Sequence, residues 1–70
     1  MKMFTLTYRA HQGKEYQISA IDRTYIYQMF AAVIQAVDCS YAAVTDGFTG
    51  ECYTVWENGK FAVIDGIILD

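Results

Sequence analysis

DRTYIYQMFAAVIQAVD, residues Asp22 to Asp38, is the one long segment of this seventy-residue chain whose apolar residues recur with a helical period. Ile26, Met29, Phe30, Val33 and Val37 fall at a spacing that places them on one stripe of a helix, turned toward a sheet. Asp22, or Ser19 just upstream, suits the start. A short oxygen-bearing side chain accepts from the first free N–H groups, and a carboxylate favours the positive end of the helix dipole. The helix is expected to end near Asp38 and Cys39. Its opposite face reads Thr24, Gln28, Ala31, Ala32 and Gln35, with no charge between Arg23 and Asp38. An exposed helix back ordinarily carries Lys and Glu, so this one is expected to make a contact.

On both sides of the helix the period drops to two. Upstream, residues 2–9 alternate, with Phe4, Leu6 and Tyr8 on one face and Met3, Thr5 and Thr7 on the other. Ala10-His11-Gln12-Gly13 reads as a tight connection into a second strand, residues 14–20, whose Tyr16, Ile18 and Ala20 form an apolar face. Downstream, residues 40–45 could prolong the helix through their alanines, but Ser40 and the β-branched end favour a strand. Asp46-Gly47-Phe48-Thr49-Gly50 marks a turn, and residues 51–57 a further strand.

Asn58-Gly59 is the strongest local signal, because both residues tolerate the left-handed conformations of a type I′ turn. A two-residue loop predicts Glu57 opposite Lys60, Trp56 opposite Phe61, Val55 opposite Ala62, Thr54 opposite Val63 and Tyr53 opposite Ile64. In that register both faces of the last hairpin are apolar, and one helix covers only one of them. Asp65-Gly66 reads as a turn, after which Ile67-Ile68-Leu69 is expected to pair as a short strand or dock on a neighbour. The expected architecture is α+β, a single domain over residues 1–70 with one helix on a mostly antiparallel sheet, in the order β-β-α-β-β-β.

Composition narrows the function. A chain this short buries only about 60% of the surface it exposes when unfolded, so its stability is marginal and a partner subunit helps. A hydrophobic fraction of 54% leaves apolar surface over once one core is filled. Net charge is −3, and it is uneven: residues 1–23 balance at +2, while from Thr24 onward Lys60 alone stands against six acids, giving −5. A nucleic-acid binder needs the opposite sign to neutralise phosphates. Tyr8, Tyr16, Tyr53, Trp56 and Phe61 could form a stacking platform, but they come without the basic residues of an RNA-binding sheet, so direct nucleic-acid contact is not expected. No apolar stretch reaches the roughly 20 residues that cross a bilayer, so no membrane partner is expected. The alternating N-terminus lacks the apolar run of a signal peptide, and a cytoplasmic location is expected.

No reactive constellation assembles from the sequence. His11 is the only histidine and sits in a turn, while Ser19 and Ser40 lie at element ends where capping explains them. A Cys39–His11 thiolate pair lacks any known nucleophile motif. Cys39 and Cys52 are expected to be free, buried and structural. A disulfide between them is the alternative, and their spacing matches no zinc or redox signature. Asp46, Glu51, Asp65 and Asp70 could in principle meet at a divalent cation, but without the alternating ligands of a calcium loop they read as turn formers and solubilising charges. No glycine-rich phosphate loop precedes the helix, where Asp22 would repel an anion.

No catalytic, cofactor-binding or metal-binding residue is therefore assigned, and an enzyme is not expected. The expected function is a non-enzymatic protein-binding module that forms a homodimer or meets another protein. Its contacts would come from the helix back (Gln28, Ala32, Gln35), the last hairpin (Trp56, Phe61) and Ile68. The alternative is a small acidic regulator or inhibitor that occupies another protein's nucleic-acid-binding groove by charge mimicry.

Overall fold

The computed structural model describes residues 2–36 and 38–68. Strands β1 (Phe4–Ala10) and β2 (Glu15–Ala20) form a hairpin, helix α1 (Arg23–Ile34) follows, and β3 (Cys39–Asp46), β4 (Cys52–Glu57) and β5 (Lys60–Ile64) complete the expected order. A two-residue β6 (Ile67–Ile68) extends it. Every pairing is antiparallel, and the spatial order is β2-β1-β3-β4-β5-β6, so the strands on either side of the helix in sequence, β1 and β3, are neighbours in the middle of the sheet. Residues 40–45 are strand, as their β-branched end favours. Val37, Leu69 and Asp70 lie outside the described residues.

The helix starts where its capping chemistry places it. Asp22 Oδ1 accepts from the backbone N–H of Thr24 at 2.9 Å and of Tyr25 at 3.4 Å, answering two donors that have no partner within the helix. It ends earlier than expected, at Ile34 with Gln35 as C-cap, rather than near Asp38 and Cys39. The Ala36 N–H closes a tight last turn on the Val33 carbonyl at 3.0 Å, and Cys39 joins β3. Asp38 at the negative end of a longer helix would have been repelled by its dipole.

Ile26 and Phe30 carry the helix stripe into the sheet, where they meet Phe4 and Leu6 of β1 and Ala42 and Val44 of β3. Leu6, Ile26 and Val44 are fully buried, so the core lies under the helix and over β1 and β3. Beyond β3 the helix side of the sheet is covered only at its margin. There Tyr27 Oη and Thr54 Oγ1 are 3.2 Å apart, tying α1 to β4, and the Phe30 and Phe61 rings lie 6.2 Å apart between centroids.

Both residues of the Asn58-Gly59 turn have positive φ, 49° and 88°, as a type I′ turn requires. Glu57 pairs with Lys60 and Trp56 with Phe61, as expected, but the register then shifts. Val55 faces Val63 rather than Ala62, which corrects the predicted pairs of Val55, Thr54 and Tyr53. The cause lies one turn further on. Asp65-Gly66 is a second left-handed pair, at 49° and 82°, and it is anchored to β4: Asp65 N–H donates to Thr54 Oγ1 at 3.3 Å and Gly66 N–H to the Tyr53 carbonyl at 2.7 Å. Reaching those acceptors needs one more residue in β5, which Ala62 supplies as a bulge.

A Cβ built on Gly59 would meet nothing within 4 Å, so any cost of substitution there is backbone strain alone. Gly59→Val is expected to lose about 1 kcal/mol or more, because a β-branched residue resists positive φ. For a domain of this size that lowers Tm by roughly 4–8 °C. An unchanged melting curve would contradict the turn.

Candidate functional site

The two flanks of the helix differ. Tyr25, Met29 and Ala32 are spaced four and three residues apart, so they share one flank, and Ala36 follows just past the C-cap. Ala32 and Ala36 line a cleft of about 290 Å³ together with Tyr8, Tyr16, Asp38 and Cys39, so this flank faces the β1–β2 hairpin. The Tyr8 and Tyr16 rings stack in the cleft with centroids 5.2 Å apart. Tyr16, on the expected apolar face of the second strand, is 45% exposed because β2 is an edge strand and, among the described residues, no strand pairs with its far side. Ile21, between β2 and the helix, is 63% exposed, and Tyr25 is 47% exposed. One margin of the molecule therefore presents three large apolar side chains, exposed alanines and a bare strand.

The other flank, with Thr24, Tyr27, Gln28 and Ala31, looks across a shallow groove to the β5–β6 turn. Arg23 closes one end with an ion pair to Asp65 at 3.1 Å, and its guanidinium lies 5.1 Å from the Tyr27 ring centroid. Both charged side chains are more than half exposed, which limits such a pair to about 0–1 kcal/mol. Phe61 and Ile64, at 39% and 40% exposure, stand on the same side of the molecule.

The expected contact residues are thus divided. Gln28 lines the second groove and Ala32 the first cleft, while Gln35 is exposed at the helix C-cap. Trp56 is half-buried against the core, and Phe61 beside it is the more open ring. Ile68 pairs with Val63 through the backbone, and its side chain lies outside the described part. Tyr16, Ile21 and Tyr25 did not figure among the expected contacts. An apolar Ile21 directly before a helix cap was the legible hint; the exposure of Tyr16 depends on strand order.

Cys39 is buried in the cleft wall. Burial pushes its thiol above the usual cysteine range, and the nearby Asp38 charge acts in the same direction, while hydrogen bonding with the Tyr41 backbone opposes them. Its Sγ lies 3.5 Å from the Tyr41 carbonyl, to which it donates. A thiol held protonated in this way is a poor nucleophile. The turn brings His11 near by, its backbone N–H donating to the Asp38 carbonyl at 2.7 Å. Cys52 is exposed at the start of β4, which corrects the expectation that both thiols are buried; both are free. A thiol titration of protein purified without reductant is expected to count two groups after denaturation. In the native state it should count one fast group, Cys52; no reactive thiol after denaturation would contradict the free pair.

Of the carboxylates considered for a cation, Asp46 and Asp65 are already engaged. Asp46 Oδ1 accepts from the Phe48 and Thr49 N–H groups at 2.7 and 2.9 Å, and those bonds hold its carboxyl below the usual range. Asp65 sits at the other turn with Arg23. Among the described residues no group of three or more His, Cys, Asp or Glu is arranged to hold a metal ion. On the face of the sheet away from the helix, Glu15, Arg9, Tyr41, Glu57 and Lys60 form a row across five strands, with the Arg9 guanidinium 5.2 Å from the Tyr41 ring centroid. Among the described residues no helix is long and apolar enough to cross a membrane.

In comparisons with protein-family models, with curated proteins and with solved structures, no significant match to the chain was found.

Proposed function

We propose that the chain is a non-enzymatic protein-binding module that self-associates, as a two-fold dimer, through apolar and aromatic surface. The observation that carries this reading is the margin where Tyr16, Ile21 and Tyr25 stand exposed beside the uncharged helix flank of Ala32 and the Ala36 that follows its C-cap. Dimerisation is the commonest way for a small protein to cover one surplus patch, and roughly 800 Å² per partner is typical of a stable contact. The groove beside Phe61 and Ile64 remains open for a different protein. Two free thiols, one of them exposed, suit the reducing conditions of the cytoplasm, where we place its activity.

Charge mimicry has less support, since Asp46 is engaged in its turn, Asp65 is paired with Arg23 and Glu57 faces Lys60. Sedimentation over a micromolar concentration series, repeated at low and high salt, tests the proposal. An apolar contact survives high salt, because screening weakens only exposed charge pairs. A 7.9 kDa monomer under all conditions would remove self-association.

A further inference from the structure

We infer that the seam is the outer edge of β2, paired antiparallel with the β2 of a second copy around a two-fold axis at Gln17; this rests on the self-association proposed above. In an antiparallel ladder every second residue directs both its N–H and its C=O to the same neighbour. The Lys14 carbonyl accepts from Ala10 N–H at 2.9 Å, so Lys14, Tyr16, Ile18 and Ala20 turn their backbone groups inward to β1. Glu15, Gln17 and Ser19 turn theirs outward. Among the described residues no strand pairs there.

Edge strands in soluble proteins are usually kept short, or blunted by a proline, a bulge or an inward-pointing charge. Among the described residues the opposite edge of this sheet, β6, is two residues long. β2 runs for six residues with no proline and no bulge, and it pairs in unbroken register with β1. Of the two edges as described, it is the longer and the one without such a device.

A second copy fits it. A two-fold axis through Gln17 sets Gln17 opposite Gln17, Glu15 opposite Ser19 and Tyr16 opposite Ile18, so all three outward-facing residues find backbone partners and no like charges meet. Parity is kept as well: Tyr16 and Ile18 share the helix side of the sheet, so the exposed Tyr16 ring gains an apolar neighbour from the other copy. The strand is bracketed by Lys14 and Asp22, both exposed. Antiparallel pairing sets Lys14 of one copy opposite Ala20 and diagonal to Asp22 of the other, twice by symmetry, within reach of a lysine. On the layer above, the flanks carrying Tyr25 and Ala32 approach one another. The result is one sheet continuous across both copies with two helices on the same face.

Gln17→Pro tests the seam. The Gln17 N–H points outward, so its loss leaves the β1–β2 ladder intact, and an edge strand tolerates proline there. The variant should keep its circular dichroism yet sediment as a monomer where wild type is a dimer. Gln17→Lys, which sets two like charges on the axis, should do the same and serves if the proline variant fails to fold. In a Cys52→Ser background, Gln17→Cys should form a disulfide-linked dimer on oxidation, since paired residues about 5.5 Å apart between Cα atoms lie within disulfide reach. A wild-type dimer that persists in folded Gln17→Pro or Gln17→Lys protein, without cross-linking of the cysteine variant, would overturn the β2 seam and leave self-association standing. A wild-type monomer would overturn both and leave the edge for an extended segment of another protein.

Discussion

Ile26→Ala is expected to cost about 2–5 kcal/mol, the range for truncating a large aliphatic side chain in a packed core. Ile26 has no exposed surface and stands with Leu6 and Val44 at the centre of the interface between helix and sheet. Removing its outer carbons leaves a cavity that the rigid strands β1 and β3 cannot fill. A seventy-residue domain has roughly 4–10 kcal/mol in all, so the loss is a large share of the total. Tm should fall by more than about 10 °C. Gln28→Ala, at an exposed position on the same helix, should stay within about 0.5 kcal/mol. Both are to be read at matched protein concentration, since the proposed self-association would make Tm concentration-dependent. A small change for Ile26→Ala would mean that the helix is not seated by this residue.

Ala32→Glu should break the proposed dimer while sparing the fold. Ala32 is exposed on the flank above β2, and glutamate is a good helix former, so the chain itself tolerates the change. Across a two-fold seam the substitution brings two carboxylates into one interface, and like charges so placed cost several kcal/mol. The dissociation constant should rise at least 100-fold. Phe61→Glu, on the far margin of the sheet, should leave sedimentation unchanged. Trp56→Glu is a poorer control, because Trp56 packs on the core and its loss would unfold the chain as well. If Phe61→Glu dissociates the dimer and Ala32→Glu does not, the last hairpin is the seam.

The helix, its cap and the I′ turn were legible because each rests on local chemistry: the spacing of Ile26, Phe30 and Val33, the Asp22 carboxylate, and the left-handed tolerance of Asn58-Gly59. What the sequence hid depends on distant partners. The bulge at Ala62 follows from the grip of Thr54 and Tyr53 on the next turn, and no rule of hairpin length contains it. Tyr16 has the alternation of a core residue, and only the strand order, which puts β2 outermost, leaves it exposed. Cys52 is apolar enough to read as buried, yet it opens β4 at the solvent end. The uncharged helix back was visible from its residues. That it divides into two flanks serving two different clefts was not, because the division depends on which strands lie below each side.

Amide hydrogen exchange at Glu15, Gln17 and Ser19 tests the central claim most directly, since their outward N–H groups have no ladder partner among the described residues of one chain. With β2 edges paired, these three amides should become protected as protein concentration rises through the dimer transition, approaching the slow exchange of Tyr16 and Ile18, which bond inward to β1 at every concentration. Fast exchange at all three positions in a sample that sediments as a dimer, with Tyr16 and Ile18 still protected, would contradict the account.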